Sequence, residues 1–237
     1  MYDEFSQIYD YVMSQTDYEN YYKNIKKHIA DKKIGSVLEL GIGTGNMTEF
    51  FYSDDLSYTG YDISSQMIQI CKNKFPRLDL HCEDISEADF KGTYDLVFTS
   101  LDTFNYILDP HKLAKLFINL SKVIDDGYLV FDINTPYKLI SLMGNNHFVY
   151  EDDDIFYTWV NQYYEEDNLI DFYIDFFVKE GDLYRRIHEE QTQKIYSLDS
   201  LKFMLYNAGF NNIEIYDYDK GEVLSDQALR ALFIVKK

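Results

Sequence analysis

The sequence predicts a doubly wound α/β fold, a seven-stranded and mostly parallel sheet with helices on both faces and a small antiparallel β insert. Three observations carry this expectation. Apolar strand-like runs alternate with helix-period segments from Val37 to Ile133. A glycine-rich loop, Gly41-Ile-Gly-Thr-Gly45, follows the first apolar run directly. From about His147 the pattern changes to long β-rich stretches separated by turn residues.

The elements follow in order. Residues 1–34 read as a helical N-terminal cap, because Ile25, Ile29 and Ala30 give the basic stretch Lys23–Lys33 one apolar helix face. Strand patterns fall at Val37–Leu40, Tyr58–Ile63, Leu78–Cys82, Leu96–Ser100 and Tyr128–Ile133, and helix patterns at Met47–Tyr52, Ser65–Phe75 and Pro110–Ile124. Strict alternation of the two calls for parallel strands joined by crossover helices. Pro110 suits the first turn of its helix. Gly127 supplies the turn into the fifth strand, whose run Tyr-Leu-Val-Phe-Asp-Ile is apolar enough for a central position.

The β-rich stretches are Phe156–Tyr164, Leu169–Val178 and Leu183–Tyr196, with hairpin-type turns at Glu166-Asp-Asn168 and Glu180-Gly-Asp182. They predict a three- or four-stranded antiparallel insert over residues 145–196 that covers the active site. The α/β pattern then resumes. A capped helix from Ser197 stops at Gly209, and strands near Ile213–Tyr216 and Ala231–Val235 form a closing hairpin at the sheet edge. Residues 1–237 are read as a single decorated domain.

Composition narrows the function classes. The 22 basic against 41 acidic residues give a formal charge of −19, which repels polyphosphate backbones and argues against a nucleic-acid partner. No apolar run reaches membrane length, and the start Met-Tyr-Asp-Glu-Phe-Ser lacks the pattern of a signal peptide, so a cytoplasmic monomer or homodimer is expected. Cys71 and Cys82 lack the paired spacing of a zinc or redox site, and no metal is expected.

The glycine loop indicates a nucleotide cofactor. Gly41 and Gly43 permit a tight turn with positive φ and close backbone approach, while Gly45 lets the next helix pack tightly. A dinucleotide loop wants its third glycine where this chain has Asn46, whereas glycines at alternate positions are found in loops that bind S-adenosylmethionine. Glu39 precedes the loop, Asp62 ends the second strand pattern, and Glu83-Asp84-Ile85 ends the third. Three acidic sites thus fall at successive C-terminal strand ends, the edge where open α/β sheets bind ligands. Asp62 is placed to accept from ribose hydroxyls and Asp84 from an adenine amine, with Ile63, Met67 and Ile85 sandwiching the ring. Asp62 would serve equally as a helix cap, as would Ser64-Ser65 beside it.

These residues resemble the class I S-adenosylmethionine-dependent methyltransferases, whose fold is Rossmann-like. The motif Glu39-Leu-Gly-Ile-Gly-Thr-Gly45, Asp62 and Glu83-Asp84-Ile85 stand in the family's order and spacing. The resemblance implies S-adenosylmethionine as cofactor, with the glycine loop behind the methionine part, Asp62 on ribose and Asp84 on adenine. A narrower small-molecule branch is suggested by Phe5-Ser-Gln-Ile-Tyr-Asp10 with Tyr18-Glu-Asn-Tyr21, by Asp102-Thr-Phe-Asn-Tyr106, and by Phe131-Asp-Ile-Asn-Thr-Pro-Tyr-Lys138. It implies that Tyr9 and Tyr21 help cover the cofactor and that Leu101 and Asp102 border it. Where that branch tends to carry His-x-Gln-Arg-x-Tyr, this chain has Gln191-Thr-Gln-Lys-Ile-Tyr196.

A sulfonium cofactor already carries an activated methyl group, so the protein must mainly align a small-molecule acceptor and exclude water. An amine acceptor need only be unprotonated, whereas a hydroxyl more often needs a base. Asn105, Tyr106 and His188 are the candidate catalytic residues, with Asp102 as a further polar candidate. The acidic charge favours a cationic acceptor. Two alternatives stay open, a nicotinamide oxidoreductase built on Asp62 and a noncatalytic module that docks a partner through the aromatic insert.

Overall fold

A computed structural model describes residues 4–237, so Met1, Tyr2 and Asp3 of the expected cap lie outside the described residues. The cap contains α1 (Tyr9–Val12) and α2 (Tyr18–His28). The core follows as β1 (Ser36–Leu40), α3 (Thr48–Phe51), β2 (Ser57–Asp62), α4 (Ser65–Lys74), β3 (Asp79–Cys82), β4 (Tyr94–Phe98), α5 (Pro110–Val123) and β5 (Ile124–Asn134). The insert contributes β6 (His147–Glu151), β7 (Ile155–Tyr164), β8 (Leu169–Glu180) and β9 (Leu183–Lys194). The chain returns to the core as α6 (Leu198–Asn207), β10 (Asn212–Asp217), β11 (Glu222–Val223) and β12 (Arg230–Lys236).

The central sheet runs β11-β10-β12-β5-β4-β1-β2-β3. Strands β1 to β5 pair in parallel, as their crossover helices require. The order reverses beside β1, which makes the carboxyl ends of β1 and β4 the switch point of the sheet. The sheet has eight strands, the expected seven plus β11, a two-residue extension paired to β10. β12 is not an edge strand. It lies between β5 and β10, antiparallel to both, and all but its two end residues are buried.

Each face of the sheet buries its own layer. Leu113, Leu116, Phe117 and Leu120 repeat at helical spacing on α5 and join Phe104, Phe131 and Phe233 in one core cluster, to which α6 adds Leu201 and Leu205. On the other face, Ile25 and Ile29 of the cap pack with Val37, Leu96, Leu232 and Cys71. Asp109 caps α5 by accepting from the His111 amide at 2.8 Å, with Pro110 in the first turn. Gly127 has a different reason from the expected turn. It sits inside β5, where a Cβ would come within 2.7 Å of the Asp95 carbonyl oxygen, so close backbone approach excludes a side chain there.

The insert is a four-stranded antiparallel sheet, β6-β7-β8-β9. Both expected hairpin turns are present, with Asn168 and Gly181 in the left-handed region at φ +50° and +67°. Ile170, Phe172, Ile174 and Phe176 alternate along β8 on its buried face, where they meet Phe5 of the cap. Phe5 stacks on Phe176 at 4.8 Å between ring centroids.

Candidate active site

The carboxyl ends of β1, β2 and β4, with the segments that follow β3 and β4, enclose a cavity of about 410 Å³. That lies within the range of small-ligand pockets. Glu39, Gly41 and Gly43 line one side, Asp62, Ile63 and Met67 the middle, and Asp84 and Ile85 the far end. Tyr9, Leu101 and Tyr106 complete the expected residues found in the lining.

The glycine loop takes its shape from backbone that a side chain resists. Gly41, Gly43 and Gly45 all have positive φ, at +66°, +56° and +86°. A Cβ on Gly45 would press on Phe75 Cε2 at 2.9 Å and Cys71 Sγ at 3.1 Å, so this glycine seats the loop against α4 and stands outside the lining. Around Gly43 nothing lies within 4 Å of such a Cβ, which leaves open space for a ligand.

Asp62 joins loop and helix. Its Oδ2 accepts from the Gly43 amide and its Oδ1 from the Ser64 amide, both at 2.8 Å. Asp62 is not the cap of α4, a function that falls to Ser64, whose hydroxyl oxygen accepts from the Met67 amide at 3.3 Å; the Asp62 carboxylate instead fixes the turn ahead of the helix and faces the cavity. Burial raises its carboxyl above the usual range, opposed by the backbone N–H groups of Ser64, Gly43 and Ile63. Glu39 is more strongly perturbed. Burial pushes it up to about 7, against the hydroxyl donors Thr48 and Tyr58 and with a small further push from Asp62. Both hydroxyls donate to Oε2 at 2.6 Å. Oε1 takes neither of these two bonds, and Glu39 lines the cavity.

The end beside β3 has apolar walls together with the acids Glu83 and Asp84. Met67 is buried, Ile85 nearly so, and Ile63 is 61 % exposed because its side chain stands in the mouth of the cavity. Asp84 Oδ1 accepts from the Ser86 amide at 2.9 Å, which fixes the carboxylate at the rim.

Several lining residues escaped the sequence reading, among them Tyr18, Thr44, Asn46, Thr103 and Lys112. Tyr18 occupies the position expected of Tyr21. The two lie three residues apart on α2, and Tyr21 instead stacks on Tyr218 at 4.2 Å and donates to Asp219 at 3.1 Å. Asp10 was the available signal for Thr44 and Asn46, since its Oδ1 accepts from Thr44 Oγ1 at 2.5 Å and from Asn46 Nδ2 at 3.1 Å. Lys74 Nζ lies 2.6 Å from Asp10 Oδ2, so the cap is clasped to the glycine loop and to α4.

The remaining candidates lie apart from the cofactor-sized cavity. Asp102 is buried outside the lining, with Oδ1 2.6 Å from Arg230 Nη1 and Oδ2 accepting from Gln193 at 2.5 Å. Asn105 is also buried, accepting from the Asn134 amide at 3.0 Å and donating to the Lys194 carbonyl at 2.9 Å. It ties β5 to the insert. His188 lines neither this cavity nor the next one described. It stands on the exposed face of β9, with Nδ1 2.8 Å from Asp175 and Nε2 3.0 Å from Glu190. The Glu190 and Asp175 carboxylates raise its pKa.

Tyr106 marks a boundary. Its hydroxyl donates to Gln191 Oε1 at 2.8 Å. Tyr106 and Leu108 also line a second cavity, of about 290 Å³, walled by Asp171, Tyr173, Glu190, Gln191 and Thr192 of the insert. Two chambers therefore adjoin at the same two residues. Among the described residues no group of three or more His, Cys, Asp or Glu is placed to hold a metal ion, and no helix is long and apolar enough to cross a membrane.

An open α/β sheet with this strand order, a glycine loop after β1 and acids at the next two strand ends is the architecture of the class I methyltransferases. The family described as "Methyltransferase domain" matches residues 14–215, and the chain belongs to it. An S-adenosylmethionine-dependent methyltransferase from Clostridium acetobutylicum ATCC 824 is 32 % identical over 99 % of this chain and 98 % of that one, with a TM-score of 0.87. YqeM of Bacillus subtilis (strain 168), which carries a methyltransferase name, is 27 % identical over 89 % of this chain and 86 % of its own. The sugar N-methyltransferase KedS8 from Streptoalloteichus sp ATCC 53650 shares the fold at 16 % identity, covering 100 % of this chain and 93 % of that one with a TM-score of 0.77. Family membership decides against the nicotinamide alternative.

Proposed function

We propose that this chain is an S-adenosylmethionine-dependent methyltransferase whose acceptor is a small amine-bearing molecule held in the second chamber. The observation that carries this reading is the junction of the two cavities at Tyr106 and Leu108. One chamber has the glycine loop, the acids and the apolar slot suited to the cofactor. The other opens onto polar side chains of the insert.

The residues present suit the cofactor. Glu39 Oε1 matches an α-ammonium, Asp62 keeps acceptor capacity for ribose hydroxyls, and Asp84 lies beside an apolar slot formed by Ile63, Met67 and Ile85. When bound, S-adenosylmethionine supplies a methyl group activated by its sulfonium centre. The protein's part is positioning. Tyr9 and Tyr18 shield the chamber from water, and Tyr106, held by its bond to Gln191, stands where the acceptor would meet the cofactor.

The amine assignment rests on the wall of the second chamber. Asp171 and Glu190 are its charged residues, and no Lys or Arg stands among those lining it. Such a wall attracts an ammonium and repels a phosphate or carboxylate. An amine attacks once it has lost its proton, so no base dedicated to an alcohol is required. The N-methyltransferase name of KedS8, which has the same architecture, supports this choice.

Calorimetric titration with S-adenosylmethionine, followed by transfer of a labelled methyl group to a panel of amines, alcohols and carboxylic acids, tests the proposal. Cofactor binding with turnover confined to amines is expected. Turnover confined to alcohols would refute the acceptor class, and absence of cofactor binding would refute the whole reading.

A further inference from the structure

We infer that Arg230, on β12 and beyond the segment matched by the family, is a positioning residue that holds one wall of the cofactor chamber. This inference rests on the cofactor reading above. The wall is the turn after β4, of which Ser100, Leu101 and Thr103 line the chamber. Leu101 and Asp102 both have φ +57°, and two successive non-glycine residues in the left-handed region persist only where surrounding contacts impose them.

Those contacts converge on Arg230. Its Nη1 lies 2.6 Å from Asp102 Oδ1 and 2.6 Å from Asp132 Oδ2. Asp132 Oδ2 also accepts from the Asp102 amide at 3.1 Å, so the guanidinium and the turn's own backbone share one carboxylate. Gln193 of the insert donates to Asp102 Oδ2 at 2.5 Å, and its Oε1 accepts from Asn134 at 2.9 Å. Without Arg230 the two buried carboxylates would lose the cation that bridges them and keep near them only Lys138, whose ammonium donates to Asn134 Oδ1 at 2.7 Å.

The turn bears directly on the glycine loop. A Cβ on Gly41 would come within 2.7 Å of Thr103 Oγ1 and Cγ2, so loop and turn are packed with no space between them. A shift of Asp102 therefore moves Thr103 against Gly41. Through this contact a residue outside the lining governs the shape of the cofactor chamber.

The test is a double-mutant cycle read by calorimetric titration of S-adenosylmethionine into the full chain, using Arg230→Gln, Leu101→Gly and the double variant. Glycine takes the left-handed conformation without help from Arg230. Arg230→Gln alone is expected to weaken binding about tenfold or more, and the same change in the Leu101→Gly background about threefold or less, with a melting transition kept in every variant. A merely structural role would give equal factors in the two backgrounds. Equal factors, or unaltered affinity in Arg230→Gln, would overturn the inference. If Arg230→Gln does not fold, Asp102→Asn, which leaves Arg230 paired to Asp132, enters the same cycle with the same expectation. A wild-type chain that fails to bind would remove the cofactor reading and this inference together, whereas wild-type binding with additive variants removes this inference alone.

Discussion

Tyr106 gives its hydroxyl proton to Gln191 Oε1 across 2.8 Å, and this bond joins the segment after β4 to the last strand of the insert. It also separates the two chambers. Tyr106→Phe removes the oxygen and leaves the ring, so S-adenosylmethionine affinity should change by no more than about twofold. Turnover of an amine found in the panel should fall by about tenfold to a hundredfold, the scale of one hydrogen bond to a charged group. Steady-state kinetics beside calorimetry separates the two effects, and an equal loss in both would place Tyr106 in the cofactor chamber only.

Asp62 holds the loop geometry and is the residue proposed to meet the ribose. Asp62→Ala deprives the Gly43 and Ser64 amides of their 2.8 Å acceptors as well as removing the proposed ribose partner. Loss of charge-assisted bonds of this kind costs about 1.5–3 kcal/mol each, so affinity should drop at least tenfold. Retention of wild-type affinity in a titration would place the ribose elsewhere.

Glu39 makes binding depend on pH. Its folded-state value of about 7 lies above the ordinary 4.5, so the folded chain holds a proton that the unfolded chain has released between those values. The sign for stability is therefore negative. The contribution is complete below pH 4.5 and is lost as pH rises through 7. Binding has the opposite sign, because an α-ammonium favours the ionised carboxylate. Affinity for S-adenosylmethionine should be about tenfold weaker at pH 6 than at pH 8, and Glu39→Gln should flatten the profile. Titrations across that range would expose an error if the wild-type profile were flat.

Gly43 and Gly45 should separate stability from binding. Gly45→Ala forces a methyl against Phe75 and Cys71 at a φ of +86°, and strain plus overpacking should cost about 2–4 kcal/mol in urea denaturation. Gly43→Ala meets no neighbour within 4 Å, so only the backbone term of about 1–2 kcal/mol applies. Its methyl would enter the space proposed for the cofactor, and affinity should fall out of proportion to that small stability change. Equal stability losses in the two variants would contradict the packing described for Gly45.

The parts of the site that were legible are those fixed by neighbours in sequence. Gly41 to Gly45, Asp62 and Asp84 follow their strands directly, so the strand pattern alone brings them to one edge of the sheet. Tyr18 and Tyr21 could not be told apart, because the choice depends on Tyr218, which meets α2 only after the sheet has formed. Strand parity placed only part of this region. Gln191 and Gln193 are buried on β9, and His188, an odd number of residues from both, falls on the exposed face; Glu190 shares that face and lines the second cavity, so parity alone does not separate His188 from it. The two-residue β11 carried no periodicity to detect, and β12 read as an edge strand because its pairing with β5 spans the insert and α6.

That pairing has a consequence for how the molecule comes into being. Arg230 opposes Asn134 in the β5–β12 ladder, so the middle of the sheet closes only after the insert and α6 have been synthesised. Such distant contacts form slowly, because a long loop must be closed before any rung is gained. During synthesis β5 presents an unpaired flank, and Asp132 beside it waits for its guanidinium. A nascent chain at that stage has its glycine loop in hand but not the bolt that locks the wall packed against it, so the completion of folding and competence to bind are set by the same strand.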